Sequence, residues 1–118
     1  MALTVYGIPN CGTVKKARTW LEGRGVAHDF VDFRAHPVAP ERVAAWVAAL
    51  GAKALKNTSG GSYRALPEGK KQWTDAQWAE AMAADPMLIK RPVIERDGAA
   101  VKAGFRGTDD QLVAVLVS

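Results

Sequence analysis

The chain has 118 residues, 48% of them apolar, and its 16 Lys and Arg against 12 Asp and Glu give a formal net charge of +4. This length and composition predict one globular domain over residues 1–118. No apolar run approaches the roughly 20 residues of a membrane-spanning helix, and no secretory signal is recognisable. The basic residues are dispersed, which argues against nucleic-acid binding and fits a small anionic substrate or an acidic protein surface.

The chain contains a single cysteine, Cys11, so a disulfide within the chain is excluded. One free thiol without an export signal predicts the reducing cytoplasm. His28 and His36 have no second cysteine nearby, so we expect no metal site. Dinucleotide and P-loop motifs are absent, so we expect no bound cofactor. We also expect a monomer.

The N-terminal third follows a strand–helix–strand pattern. Residues 2–7 alternate loosely, and from about Cys11 the apolar residues fall at helical spacing until Gly25. Residues 26–33 then have the pattern of a second strand. This β-α-β order predicts a right-handed unit with parallel strands.

A helical insertion over about residues 38–90 is predicted next. Pro40 suits the first turn of a helix that Gly51 closes, and residues 52–55 form a short amphipathic piece. The stretch 57–69, with its Gly, Ser and Pro residues, is predicted to be an irregular and candidate mobile loop. A capping box at residues 74–77 opens a further helix to about residue 84.

The C-terminal part predicts a hairpin and a helix. Residues 93–96 and 99–103 flank Asp97-Gly98, a dipeptide typical of a type I′ turn between antiparallel strands. Thr108 begins a second capping box, which predicts a C-terminal helix. The sum is an α/β fold with a mixed four-stranded sheet, in the order β-α-β, helical insertion, β-β-α.

Cys11 lies where the first strand runs into the first helix. A thiol at a helix N-terminus faces unpaired N–H groups and the positive end of the helix dipole, and both lower its pKa. The N–H groups of Gly12, Thr13 and Val14 can contribute, and Gly12 leaves the backbone open to a ligand. We therefore predict a reactive thiolate at Cys11; a small buried hydrophobic residue is the alternative.

The chain resembles the arsenate reductase/Spx (ArsC/Spx) family, and within it most closely the YffB branch. Three segments carry the resemblance: Asn10-Cys11-Gly12-Thr13-Val14-Lys15-Lys16-Ala17-Arg18, Ile89-Lys90-Arg91-Pro92-Val93-Ile94 and Gly104-Phe105-Arg106. The resemblance implies a thioredoxin-like fold in which Pro92, usually after a cis peptide bond, lies beside the active cysteine. It also implies that Arg91 helps to bind an oxyanion and to lower the pKa of the thiol.

The candidate catalytic residues are therefore Cys11 and Arg91. The candidate substrate-binding residues are Asn10, Gly12, Thr13, Lys15, Arg64, Pro92 and Arg106. Lys15 is a cation in the first turn of a helix, where the dipole disfavours positive charge, so it hints at an anionic ligand; a solvated helix face is the alternative. The family commonly has an arginine where this chain has Ser59, and Arg64 or Lys56 is the candidate replacement.

The resemblance implies a thiol reductase that depends on glutathione, as co-substrate, or on glutaredoxin. In this hypothesis Cys11 attacks an oxyanion such as arsenate, or a disulfide. Val14 stands where the regulators of the family carry a second cysteine, so an external thiol must resolve the covalent adduct. The alternative is a non-enzymatic, Spx-like regulator that binds RNA polymerase.

Overall fold

A four-stranded sheet forms the centre of the structure, a computed structural model that describes residues 2–105. The strands are β1 (Leu3–Gly7), β2 (Asp29–Asp32), β3 (Val93–Arg96) and β4 (Ala99–Ala103), in the spatial order β2-β1-β3-β4. β1 runs parallel to β2 and antiparallel to β3, and β3 and β4 form an antiparallel hairpin. This is the mixed sheet of the predicted thioredoxin-like fold.

Five helices accompany the sheet in the described part of the chain. They are α1 (Gly12–Gly23), α2 (Pro40–Leu50), α3 (Ala52–Leu55), α4 (Gly61–Arg64) and α5 (Asp75–Ala84), with 3₁₀ turns at Glu68–Gln72 and Pro86–Leu88. The insertion between β2 and β3 is thus helical, as predicted. None of the helices among residues 2–105 is long and apolar enough to cross a membrane.

Several local predictions are confirmed. The side chain of Thr74 accepts a hydrogen bond from the backbone of Gln77, whose side chain in turn accepts one from the backbone of Thr74, so the capping box of α5 is present. Asp97 and Gly98 have φ values of 52° and 85°, the positive values that the tight hairpin turn requires. The C-terminal helix predicted after Thr108 lies outside the described residues.

Two element predictions were wrong in their extent. The second strand begins only at Asp29, because the N–H of Val26 donates back to the carbonyl of Leu21 at 2.9 Å and closes the end of α1. The stretch 57–69 is not irregular throughout, since it contains α4 and the start of a 3₁₀ turn. Tyr63 of α4 stacks on Trp78 with 6.1 Å between ring centroids, a long-range contact that local composition does not encode.

Alternating residues of the central strands contribute to two apolar clusters. Val5 and Ile94 belong to the cluster that includes Leu21 of α1, whereas Tyr6 and Val93 belong to the larger cluster on the side of the insertion. Successive side chains of a strand point to opposite faces, so each face of the sheet is covered separately. The sheet is therefore held between α1 and the helical insertion.

Gly7 sets the approach of α1 to the end of β1. A Cβ atom at this position would lie 2.7 Å from a methyl carbon of Val14, so a larger residue would force the helix away. The chain then turns between Ile8 and Cys11, where the N–H of Cys11 donates to the carbonyl of Ile8 at 3.3 Å. The close packing and the turn together place Cys11 at the start of α1.

Candidate active site

Cys11 is the N-cap residue of α1 and is partly exposed. Its backbone is extended, with φ −90° and ψ 122°, and its carbonyl accepts the first helical hydrogen bond, from Lys15 at 3.0 Å. Its side chain closes no N-cap hydrogen bond of the usual kind. The sulfur is therefore held near the N–H groups of the first turn while remaining reachable from solvent.

The pKa of the Cys11 thiol is lowered from its ordinary value of 9.0. Partial burial is the largest single influence and acts in the opposite direction, because it disfavours the charged thiolate. The backbone N–H groups of Val14 and Thr13, followed by the guanidinium of Arg91, together outweigh it. The environment thus favours the thiolate, the form of cysteine that acts as a nucleophile.

Arg91 lies in the loop before β3, and its guanidinium is close enough to the thiol of Cys11 to lower the pKa of the thiol. The Arg91–Pro92 peptide bond is cis, and Pro92 is buried. Nη1 of Arg91 lies 3.7 Å from the sulfur of Met87, and its buried Nε has no hydrogen-bond partner among residues 2–105. A guanidinium near a thiol supplies the positive charge that stabilises the thiolate.

A cavity of about 300 Å³ opens beside Cys11. Its described lining consists of Cys11, Thr13, Asn57, Ser59, Lys90, Arg91, Gly104 and Phe105. The lining contains two cationic side chains and no carboxylate, so its electrostatic potential favours an anionic ligand. Of the predicted site residues, the fold brings Cys11, Thr13 and Arg91 together here.

The other predicted site residues lie around this cavity or apart from it. Asn10 is exposed in the turn before Cys11, and Gly12 begins α1 with open space where a side chain would be. Lys15 lines a neighbouring groove with Trp20. Arg106 lies outside the described residues.

Neither of the two candidate replacements for the family arginine lines the cavity. Arg64 is exposed and donates through Nη1 to the carbonyl oxygen of Ser59 at 3.1 Å. Lys56 directs its Nζ at the ring of Trp78, 5.1 Å from the centroid. Ser59 itself does line the cavity, and its hydroxyl donates to the side-chain oxygen of Asn57 at 2.9 Å.

Sequence reasoning did not assign a site role to Asn57, Lys90, Gly104 or Phe105, all of which line the cavity. Lys90, Gly104 and Phe105 do fall within the segments that carry the family resemblance, which was the available signal. Asn57 had no such signal. Its N–H donates to the carbonyl of Leu88 at 2.8 Å, and this long-range contact brings it to the site.

No group of three or more His, Cys, Asp or Glu side chains between residues 2 and 105 is arranged to hold a metal ion. The cavity beside Cys11 offers a thiol, two cations and neutral polar groups. These residues can hold an anion and can perform nucleophilic chemistry at sulfur.

Several known proteins are similar to this chain. A protein of Bacillus subtilis (strain 168), the uncharacterized protein YusI, is 37% identical over 110 residues, which cover 90% of this chain and 92% of that protein. An arsenate reductase of Rhizobium meliloti (strain 1021) is 26% identical over 96 residues, which cover 80% of this chain and 69% of the reductase.

Solved structures share the fold over nearly the whole length. The structure of the YFFB (PA3664) protein is 39% identical with a TM-score of 0.85, covering 98% of this chain and 99% of that one. A possible arsenate reductase from Streptococcus mutans UA159 is 34% identical with a TM-score of 0.81, covering 95% of this chain and 97% of that one. The model of the ArsC family matches residues 6–112, and the chain therefore belongs to the ArsC family.

Proposed function

We propose that this protein is a thiol reductase in which Cys11 is the nucleophile and Arg91 stabilises its thiolate. The observation that carries the proposal is a partly exposed thiol of lowered pKa that faces a guanidinium in an open, cationic cavity. Membership of a family that includes arsenate reductases supports the same reaction class. Glutathione or a glutaredoxin is the proposed source of electrons.

The proposed reaction proceeds in three exchanges at sulfur. The Cys11 thiolate attacks one sulfur of a disulfide, the S–S bond breaks, and the other half leaves as a thiolate that takes a proton from water. One external thiol then attacks the substrate sulfur of the mixed disulfide and releases Cys11. A second external thiol attacks the disulfide formed in this way, frees the remaining half of the substrate as a thiol and becomes part of the oxidised external disulfide. The substrate disulfide gains two electrons, which two molecules of the external thiol supply. Cys11 is the sole cysteine, so the second exchange needs this external thiol.

Oxyanions such as arsenate are the second proposed substrate class. Among residues 2–105, Arg91 supplies the one guanidinium of the cavity lining, and Ser59 lies at the position where the family resemblance implies a further arginine. The described wall therefore offers a tetrahedral oxyanion one guanidinium fewer than the resemblance implies. We propose that small disulfides are the better substrates.

Replacing Ser59 by Arg is expected to strengthen oxyanion binding about 10- to 150-fold, because one added charge-assisted hydrogen bond contributes about 1.5–3 kcal/mol. The measurement is the arsenate concentration that protects Cys11 half-maximally from alkylation. Thr58→Arg, next to the cavity wall, is the matched control for a general increase in positive charge. Equal protection in the Ser59 and Thr58 variants would contradict a role for position 59.

Replacing Arg91 by Ala is expected to raise the pKa of Cys11, because the guanidinium that stabilises the thiolate is lost. The rate of Cys11 alkylation follows the thiolate fraction, so its inflection should move to higher pH and its rate at pH 7 should fall severalfold. Alkylation is measured against pH in the native protein.

Arg34→Ala, which removes an exposed arginine distant from the cavity lining, should leave the alkylation profile unchanged. An Arg91→Ala profile that coincides with that of the unaltered protein would remove Arg91 from the mechanism. An unaltered protein whose thiol titrates at its ordinary value would contradict the proposed reductase site itself.

The regulator that binds RNA polymerase stays a prediction from the family resemblance. No contact of the described residues favours it over the reductase. The cytoplasmic location, the monomeric state and the single domain over residues 1–118 likewise stay predictions.

A further inference from the structure

We propose that Lys90 determines substrate specificity by binding a carboxylate of the disulfide substrate, at a point in the cavity separate from the reacting sulfur. This inference rests on the proposed reductase function. In this inference, Arg91 stabilises the thiolate of Cys11, and Lys90 binds an anionic group of the substrate away from the disulfide bond.

The described lining of the cavity is positively charged. It includes Lys90 and Arg91 and contains no carboxylate that could neutralise either of them. The ion pairs found among residues 2–105 involve other side chains than Lys90. An ammonium group that lines a cavity without an internal counter-ion is available to an anionic ligand.

Hydrogen bonds hold the backbone around Lys90 in place. The N–H of Lys90 donates to the carbonyl of Leu55 at 2.6 Å, and the carbonyl of Pro92 accepts a hydrogen bond from Gly104 at 2.8 Å. These bonds tie the segment before β3 to the insertion on one side and to the end of β4 on the other. The Lys90 side chain therefore starts from a fixed point.

The aliphatic part of the Lys90 side chain packs over Gly104. A Cβ atom at position 104 would lie 3.2 Å from Cε and 3.3 Å from Cδ of Lys90, so only glycine leaves full room for the stem. Gly104 also has a φ of 82°, which other residues rarely adopt. Contacts with the aliphatic stem orient the side chain while its ammonium group stays solvated and free to bind.

Lys90 and Arg91 have different roles in the cavity. The groups that lower the pKa of Cys11 are the N–H groups of Val14 and Thr13 and the guanidinium of Arg91, and Lys90 is not among them. The cavity of about 300 Å³ would remain mostly empty around a single tetrahedral oxyanion. Its volume and its second cation fit a larger substrate with a negative charge away from its reacting atom.

The test compares two disulfides that differ in charge. Dithiodipropionate carries two carboxylates, and bis(2-hydroxyethyl) disulfide is neutral. Each is mixed with the native protein without added reductant, so that one thiol is released for every Cys11 converted to a mixed disulfide. The ratio of the two rate constants measures the preference for the carboxylate. Variants Lys90→Gln, Lys90→Arg and Lys53→Gln are compared; Lys53 is an exposed lysine of α3 that does not line the cavity.

Lys90→Gln is expected to lower this preference about 1.5- to 5-fold, the range for an exposed ion pair. Lys90→Arg should restore it, and Lys53→Gln should leave it unchanged. In Lys90→Gln the rate with the neutral disulfide should fall less than the rate with dithiodipropionate, because the neutral substrate has no carboxylate for Lys90 to bind. The alkylation pH profile should stay the same, because Lys90 is not among the groups that lower the pKa of Cys11. Cystamine, a disulfide with two ammonium groups, should react faster with Lys90→Gln than with the unaltered protein.

Three results would overturn the proposal. An unchanged preference in Lys90→Gln would remove Lys90 from substrate binding and leave the reductase function intact. A shifted alkylation profile in Lys90→Gln would show that Lys90 acts through the thiol. Release of no thiol from any of the disulfides by the unaltered protein would contradict the reductase function, and the role of Lys90 with it.

Discussion

Cys11→Ser is expected to abolish disulfide cleavage, with a loss of about 10³-fold or more in rate at pH 7. A serine hydroxyl does not ionise in this environment, and removal of a covalent nucleophile leaves only the contribution of binding and electrostatics. The measurement is the formation of 2-mercaptoethanol, separated from glutathione, when bis(2-hydroxyethyl) disulfide is mixed with glutathione, compared with the same mixture without protein.

The Cys11→Ser variant also provides its own folding control. Cys11 occupies the N-cap of α1 without a side-chain hydrogen bond, whereas serine is among the best N-cap residues. We expect the free energy of unfolding of Cys11→Ser to equal that of the unaltered protein or to exceed it by up to about 1 kcal/mol. Thermal unfolding measures this stability. A variant that is folded but inactive would show that the loss of activity comes from the loss of the thiol. A Cys11→Ser protein that retains full activity would contradict the proposed nucleophile.

Glu95→Ala is expected to destabilise the fold by about 2–6 kcal/mol, because the buried hydroxyl of Tyr6 and the buried indole N–H of Trp46 each lose an acceptor at a cost of about 1–3 kcal/mol. Glu95 is only 3% exposed, and it accepts hydrogen bonds from Tyr6 at 3.0 Å, from Arg42 at 2.8 Å and from Trp46 at 2.7 Å. Burial raises the pKa of Tyr6, and the carboxylate of Glu95 raises it further, so the Tyr6 hydroxyl remains a neutral donor. Removing the carboxylate leaves all three donors without this acceptor.

Denaturant unfolding of the variant measures this loss, with two comparisons. Arg42→Ala should cost less than Glu95→Ala, because the Arg42 side chain is 45% exposed and water replaces part of its interaction. Glu80→Ala, an exposed glutamate of α5, should change the free energy of unfolding by no more than about 0.5 kcal/mol. A Glu95→Ala protein as stable as Glu80→Ala would show that the cluster around Glu95 does not support the fold.

Local patterns were sufficient for most of the elements. The capping box at Thr74, the Asp97-Gly98 turn and the helical spacing between Pro40 and Gly51 each concern residues that are close in the chain, and the structure has the predicted elements there. Residues 26–33 and 57–69 were predicted less well. Their conformation depends on partners elsewhere, such as Trp78 for Tyr63, and composition does not report such partners.

The candidate site divides in the same way. The position of Cys11 between a strand and a helix follows from local pattern, and so does the chemistry of a thiol at a helix N-terminus. Arg91 was identified through its family motif, because a spacing of 80 residues contains no distance information by itself. The structure then brings Arg91 into the lining of the same cavity as Cys11.

The amino-acid sequence was enough to identify the order of the elements, the thiol and the family, because these depend on neighbouring residues and on motifs. Only the folded chain showed that Asn57, Lys90 and Gly104 share a cavity with Cys11, and that Glu95 is buried among three donors. These residues come from segments that are far apart in the chain. They meet because β3 pairs with both β1 and β4 and because the insertion bonds back to the segment before β3, and such pairings are decided by the packing of the whole sheet.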